Sequence, residues 1–147
     1  MTPVLVEPRH LAAIAALEQA VFHAPWSERS LALLCTPQAF GFVCMQGERA
    51  VAYGGMLCVA GEGQITNVAT HPDHRRRGLA AGVLAAMLEH ARALSLLEVT
   101  LEVRESNAAA IALYERFGFQ TVGKRPRFYT HPVETALIMS YRPGAGN

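Results

Sequence analysis

Apolar residues in this chain recur with two spacings, one typical of helices and one typical of strands. Helical spacing covers residues 10–22, 27–34 and 79–94, and a further helix capped by Ser106 or Asn107 ends before Gly118. Apolar and β-branched runs predict strands at 4–7, 40–45, 50–59, 64–70, 97–103, 119–122 and 135–141. We therefore expect a sheet with helices packed against it.

The order of these elements is β-α-α-β-β-β-α-β-α-β-β, which predicts an α/β fold with a central mixed β-sheet. Turns at Gly47-Glu48 and Gly61-Glu62-Gly63 separate three consecutive strands, so those strands can pair antiparallel. The sequence contains no internal repeat and no linker. Because 147 residues suffice to bury a core, we expect one domain over residues 1–147.

Composition and charge exclude several functional classes. The chain is 51% hydrophobic and 17% charged, with a net charge of +1, which favours a globular protein without the broad basic face that nucleic acid requires. No apolar run reaches the ~20 residues needed to cross a bilayer, and the N-terminus lacks the basic start of a signal peptide. We expect a cytoplasmic protein that binds neither nucleic acid nor membrane. The spacing of cysteines and histidines does not indicate a metal site.

The segment Arg75-Arg76-Arg77-Gly78-Leu79-Ala80 joins a predicted strand to a predicted helix. A helix N-terminus offers free backbone N–H groups and partial positive charge, which suit a pyrophosphate. Gly78 would let the backbone approach such a ligand, and the arginines would add charged donors. The same pattern also fits a solvated basic loop, and it lacks the Gly-Lys-Ser/Thr end of a P-loop.

One predicted strand has an apolar face and a polar face, and the polar face carries a carboxylate near the end of the strand. Glu98, Thr100 and Glu102 alternate with apolar residues. Glu102 is near the C-terminal end of the strand, where α/β sheets bind their ligands. A carboxylate there either serves function or reaches solvent, and Glu98 on the same face is a rival.

The helix that follows carries two further candidates on one face, Asn107 and Tyr114. Asn107 equally fits an N-cap, and Tyr114 equally fits a core aromatic residue.

Together these motifs resemble those of the GNAT-type N-acetyltransferases. The stretch from Asn67 to Ala80 is similar to the acetyl-CoA motif of that superfamily. The block Leu101–Phe119 resembles more narrowly the RimI branch, the ribosomal-protein alanine N-acetyltransferases. Pro25-Trp26-Ser27-Glu28 and Ala136-Leu137-Ile138-Met139 support the likeness, which covers nearly the whole chain.

The resemblance implies a GNAT-like acyl-CoA N-acyltransferase fold, with acetyl-CoA as co-substrate and no metal. Glu102 corresponds to the general base, Tyr114 to the general acid and Asn107 to a cofactor contact. The implied cofactor-binding residues of the strand and the loop are Val68, Ala69, Thr70, Arg75, Arg76, Arg77, Gly78, Leu79, Ala80 and Ala81. A strand bulge would be needed to free a backbone donor for the thioester oxygen. A phenol with an ordinary pKa near 10 predicts a fall in rate at high pH.

The acceptor implied by the resemblance is a protein N-terminus, the N-terminal alanine of small-subunit ribosomal protein eighteen or one like it. An α-amine, with a pKa near 8, is far more often neutral at pH 7 than a lysine, with a pKa near 10.4. Candidate acceptor-binding residues are Trp26, Glu28 and Tyr129. Segment 126–135 departs from the family pattern, so a small-molecule amine acceptor remains an alternative. A non-catalytic acetyl-CoA sensor is another.

Overall fold

The structure, a computed structural model, describes residues 1–144. The strands are β1 (Val4–Leu5), β2 (Ala39–Gln46), β3 (Arg49–Val59), β4 (Glu62–Thr70), β5 (Glu98–Arg104), β6 (Gln120–Tyr129) and β7 (Glu134–Tyr141). The helices are α1 (Leu11–Val21), α2 (Glu28–Leu31), α3 (Leu79–Ala93) and α4 (Ala108–Arg116), and 3₁₀ turns cover Pro8–His10, Ala32–Cys35 and Pro72–His74. Within residues 1–144, no helix is long and apolar enough to cross a membrane.

The described strands form one seven-stranded sheet in the order β1-β2-β3-β4-β5-β7-β6. All neighbouring strands are antiparallel except β4 and β5, which are parallel. Consecutive residues of a strand face opposite sides, so each face of the sheet has its own core. Helices α3 and α4 cover one face, around Met87, Leu101 and Phe119, and α1 and α2 cover the other, around Ile14 and Leu31. The predicted mixed α/β sheet and element order are confirmed.

The caps expected from the sequence are present. Ser27 accepts a hydrogen bond from the backbone N–H of Ser30 at 3.1 Å and caps α2. Asn107 accepts one from the N–H of Ala110 at 3.2 Å and caps α4. Gly118 follows the C-terminus of α4 with φ of 98°, a left-handed conformation that glycine adopts at low cost.

Strand β6 is longer than the sequence predicted. The strand expected at 119–122 continues to Tyr129, so segment 126–129 belongs to a hairpin with β7 rather than to a loop. The extra length includes Pro126, which β6 tolerates because it lies at the edge of the sheet, where one side needs no partner. Pro126 falls within the register shift between Arg125 and Tyr129, where the ladder does not require its missing N–H.

Candidate active site

Strands β4 and β5 separate over half their length. They pair only at Glu62, Gly63 and Gln64 of β4, opposite Glu98, Val99 and Thr100 of β5. Beyond that point β4 pairs only with β3, and β5 pairs only with β7. A strand directs alternate backbone groups to each side, so the C-terminal half of β4 directs some of its N–H and C=O groups into an open gap.

A bulge lies where this gap begins. On β3, Gly55 pairs with Asn67 and the next residue, Met56, pairs with Ile65. Thr66 therefore has no counterpart on β3, and the register of β4 shifts by one residue there. The bulge that the sequence analysis required of this strand is present, directly before the segment Val68–Thr70.

The basic loop lies between the end of β4 and the N-terminus of α3. Arg75, Arg76 and Arg77 are exposed, and Gly78 adopts φ of 75° as the N-cap residue of α3. No protein atom lies within 4 Å of the position that a Cβ of Gly78 would occupy. No side chain caps the first turn of α3. Its free N–H groups, the open space at Gly78 and the arginines form a cradle that fits a pyrophosphate.

The other loop residues differ in exposure. Leu79 is buried, and Ala80 and Ala81 are half-buried in the first turn of α3. Only their backbone N–H groups therefore suit a phosphate contact.

Glu102 lies at the mouth of the gap. It is half-buried, two residues beyond the last β5 residue that pairs with β4. Gln64 Nε2, from β4, contacts Glu102 Oε2 at 3.4 Å across the opening. The rival Glu98 lies at the paired end, where it accepts a hydrogen bond from the Ser140 hydroxyl. The two carboxylates of one strand face thus have different surroundings, and only Glu102 borders the gap.

Tyr114 approaches from the opposite face of the sheet. It belongs to the core under α3 and α4, with its ring 5.7 Å from that of Phe119, and only 8% of the residue is exposed. Burial, and secondarily the nearby Tyr129 phenol, raises the pKa of Tyr114 to about 12. The alkaline fall in rate expected from a phenol of pKa near 10 therefore moves to higher pH.

Tyr129 lies within electrostatic reach of both groups. Burial first, and the Glu102 charge next, raise the pKa of the Tyr129 phenol. The Arg104 guanidinium lies over its ring, 4.5 Å from the centroid. Tyr129 thus lies near both Glu102 and Tyr114, beyond the part of β5 that pairs with β4.

The β6–β7 hairpin is fastened to the start of α4. Arg104 Nη1 contacts Glu134 Oε1 at 3.2 Å, and the Ser106 N–H donates to Glu134 Oε2 at 2.6 Å. Hydrogen bonds from Ser106, together with the Arg104 charge, lower the pKa of Glu134. Arg104 also donates to the carbonyls of Thr130 and Pro132. The hairpin that departs from the family pattern is therefore an ordered wall beside Glu102.

The loop between α1 and α2 forms the facing wall. Trp26 is half-buried and packs on the α1 core, and Glu28 is exposed in the first turn of α2. His23 of this loop contacts His131 of the β6–β7 loop, with ring centroids 4.3 Å apart. The two segments that carry the candidate acceptor residues Trp26 and Tyr129 therefore meet at their tips.

Two residues of the site region were missed by the sequence analysis. Gln64 gave no signal, because its contact with Glu102 joins positions 38 residues apart. Glu18 lies on the buried face of α1 and bonds Tyr53, Asn67 and Trp26. Its signal was present: position 18 follows Leu11 and Ile14 at helical spacing, so a charged residue lies on the apolar stripe.

Other features of the described part lie elsewhere. A cavity of about 410 Å³ opens beside Val6, Leu34, Phe40 and His90, and it includes none of the predicted site residues. Within residues 1–144, no three His, Cys, Asp or Glu residues group closely enough to hold a metal ion.

Known proteins are similar to this chain in sequence and in fold. The acetyltransferase (GNAT) family matches residues 11–119. The ribosomal protein bS18-alanine N-acetyltransferase of Escherichia coli strain K12 is 34% identical over 137 residues, covering 92% of this chain and 93% of that protein. The enzyme of the same name from Salmonella typhimurium is 33% identical over 126 residues, covering 84% of this chain and 85% of its own.

Solved structures agree. The crystal structure of the ribosomal-protein-S18-alanine N-acetyltransferase from Escherichia coli superposes with a TM-score of 0.89 at 32% identity, covering 99% of this chain and 96% of that one. Ard1 from Thermoplasma volcanium, at 20% identity and a TM-score of 0.80, shares the fold. With a family match over residues 11–119 and a relative that is 34% identical over 92% of this chain, this protein belongs to the acetyltransferase (GNAT) family, as a RimI-like enzyme that transfers acetyl from acetyl-CoA to an amine.

Proposed function

We propose that this enzyme acetylates the α-amine of a protein N-terminus, and that its substrate is the N-terminal alanine of ribosomal protein bS18. The observation that carries the proposal is the 34% identity to the Escherichia coli enzyme of that name over 92% of the chain. The fastened hairpin and the Trp26 loop support it, because the two segments that carry the candidate acceptor residues meet at His23 and His131; we place the acceptor groove between them. A cytoplasmic location follows from a ribosomal substrate.

Acetyl-CoA supplies the activated acetyl thioester. The N–H groups at the start of α3, with Arg75–Arg77, would hold its pyrophosphate. Asn107 uses its Oδ1 as the cap of α4, which leaves its amide Nδ2 for a cofactor contact. The backbone of Val68–Thr70, next to the bulge, would face the thioester and donate to its carbonyl oxygen as negative charge develops.

Glu102 is the proposed general base. Its carboxylate lies at the mouth of the gap on the sheet face covered by α1, the same side as Trp26. It would accept the proton of the attacking amine, directly or through water, since the group is half-buried and solvent reaches it. Gln64 Nε2 holds Glu102 Oε2 toward the gap.

Tyr114 is the proposed general acid. Its hydroxyl would donate a proton to the departing thiolate, whose pKa is near 8.5 for a comparable thiol. With a pKa of about 12 the phenol stays protonated throughout the working range, as a proton donor must. Because Tyr114 and Glu102 reach the gap from opposite faces of the sheet, the two proton transfers are kept apart.

Substituting Gly78 with aspartate should weaken acetyl-CoA binding about tenfold or more. The new carboxylate would stand beside the pyrophosphate, and like charges a few ångströms apart repel by about 1–4 kcal/mol. Gly78→Asn is the matched control, because it brings the same size and the same strain at φ of 75° without the charge. Calorimetry should show a clearly larger loss for aspartate. If Gly78→Asp bound acetyl-CoA with unchanged affinity, the cradle at the start of α3 would not be the pyrophosphate site.

The acceptor should be an α-amine rather than a lysine side chain. An alanine-initiated peptide with an internal lysine should be acetylated at its N-terminus only, and the N-terminally blocked peptide should not react. Fragment mass spectrometry locates the acetyl group. Acetylation on the internal lysine would contradict the proposal. The ribosomal substrate is tested separately with purified bS18 that has a free N-terminus, against small amines as the competing acceptors.

A further inference from the structure

A buried carboxylate joins the two sides of the site. Glu18, on α1, is 0% exposed. Its Oε1 accepts the backbone N–H of Trp26 at 2.8 Å. Its Oε2 accepts Asn67 Nδ2 at 2.6 Å and the Tyr53 hydroxyl. Asn67 Nδ2 also lies 3.1 Å from the Tyr53 oxygen, so the four groups form one closed network.

This network is costly to build. A carboxylate removed from water loses its hydrogen bonds to water, and protein groups must replace them. Within residues 1–144, no cationic side chain contacts Glu18. Three neutral donors do so instead. Burial and the Glu18 contact raise the pKa of Tyr53, so that phenol remains a donor. An apolar residue at position 18 would continue the stripe of Leu11 and Ile14 without this desolvation cost.

Two of the three donors, Trp26 and Asn67, belong to segments whose relative position matters for the proposed reaction. Trp26 belongs to the loop that forms one wall of the acceptor groove. Asn67 directly follows the bulge at Thr66 and precedes Val68, where the thioester is proposed to lie. Glu18 is the one described side chain that bonds both segments, one through each carboxylate oxygen.

We propose that Glu18 is a positioning residue for acetyl transfer, which ties the acceptor loop at Trp26 to the thioester strand at Asn67 so that amine and thioester meet at a fixed separation. The inference rests on the proposed function for the location of both substrates. A misplacement of about 1 Å between reacting groups can cost about 10²-fold in rate. Loss of the tie should therefore lower kcat more than it weakens acetyl-CoA binding.

Glu18→Gln breaks one end of the tie in either orientation of the amide. If the new NH₂ faces Trp26, two donors meet and the loop is released. If it faces Asn67 and Tyr53, the strand side is released. We expect kcat with an alanine-initiated peptide to fall about 10–100-fold, while the Kd for acetyl-CoA changes less than about threefold, because the α3 cradle is untouched.

Two control variants separate positioning from stability. Ile14→Val lies on the same buried face of α1 and lowers stability without touching the network. Leu17→Val, also on the buried face of α1, is a second control that leaves all three bonds to Glu18 in place. Both controls should keep kcat within about threefold of wild type when assayed well below their Tm. A comparable loss of kcat in Ile14→Val at equal or smaller Tm loss would overturn the inference.

The sequence contains a single tryptophan, Trp26, so its fluorescence reports the loop independently of turnover. Acrylamide quenching of Trp26 should increase in Glu18→Gln if the loop side is released and stay unchanged if the strand side is released, with kcat lowered in both cases; both controls should leave quenching and kcat unchanged. Unchanged quenching and unchanged kcat in Glu18→Gln would refute the inference. If wild-type enzyme does not acetylate the peptide, the proposed function fails, and the positioning claim fails with it.

Discussion

Replacing Tyr114 with phenylalanine should lower kcat by about 10²–10⁴-fold, the usual worth of a general acid, with little change in the KM for acetyl-CoA. The substitution keeps the ring packed against Phe119 and removes only the hydroxyl. Wild-type rates should show no fall near pH 10 from this residue, because its pKa is about 12. Steady-state kinetics from pH 6 to 10 provide the measurement.

Tyr141→Phe is the matched control for this variant. Tyr141 packs on the other side of the same cluster, with its ring 5.4 Å from that of Phe119, and its hydroxyl contacts Arg92 at 3.3 Å. Loss of that hydroxyl should leave kcat within about threefold. If Tyr114→Phe turned over at the wild-type rate, water would have to protonate the thiolate and Tyr114 would be a core residue only.

Glu102→Gln should lower kcat/KM for the peptide about 10²-fold at pH 7 and recover part of the loss as pH rises. The amide keeps the shape of the side chain but accepts no proton. Above pH 8, the ordinary pKa of an α-amine, the substrate loses its proton to solvent without help. The ratio of wild-type to variant rate should therefore shrink between pH 7 and pH 9.5.

Glu98→Gln controls for the loss of a strand carboxylate. Glu98 occupies the same face of β5, four residues earlier, and bonds Ser140 instead of bordering the gap. Its loss should affect Tm more than kcat. A pH-independent ratio for Glu102→Gln, or an equal kinetic loss in Glu98→Gln, would indicate that Glu102 is not the base.

Much of this fold could be predicted from the sequence, because the patterns that indicate helices, strands and caps involve neighbouring residues. The alternation of Glu98, Thr100 and Glu102 with apolar residues is seen in the exposure of β5. The caps at Ser27 and Asn107 and the glycine after α4 are short-range patterns that neighbouring residues decide. Glu102 and Asn107 lie in such segments, so the elements that carry them could be predicted, whereas Tyr129 lies in the part of β6 beyond the predicted strand.

The features that sequence reasoning missed depend on distant partners. Glu18 is bonded to residues 35 and 49 positions away, so the sequence could show a charged residue on the apolar stripe of α1 but not the partners that accept it there. The continuation of β6 past Pro126 depends on β6 being an edge strand, which is a property of the sheet order.

The short pairing between β4 and β5, three residues of each strand, also has a consequence for folding, because it joins two stretches of the sheet. Strands β1 to β4 are adjacent in both sequence and sheet, and β5, β6 and β7 form a second contiguous stretch, residues 98–141. Helix α3 packs on β2, β3 and β4, so it belongs to the first stretch. Within each stretch the strands pair with their neighbours, and only a three-residue register joins the two stretches. The gap proposed to admit a substrate is thus also the place where the fewest main-chain bonds join the two stretches, which otherwise share the core under α3 and α4, and a ligand spanning the gap would add a further link between them.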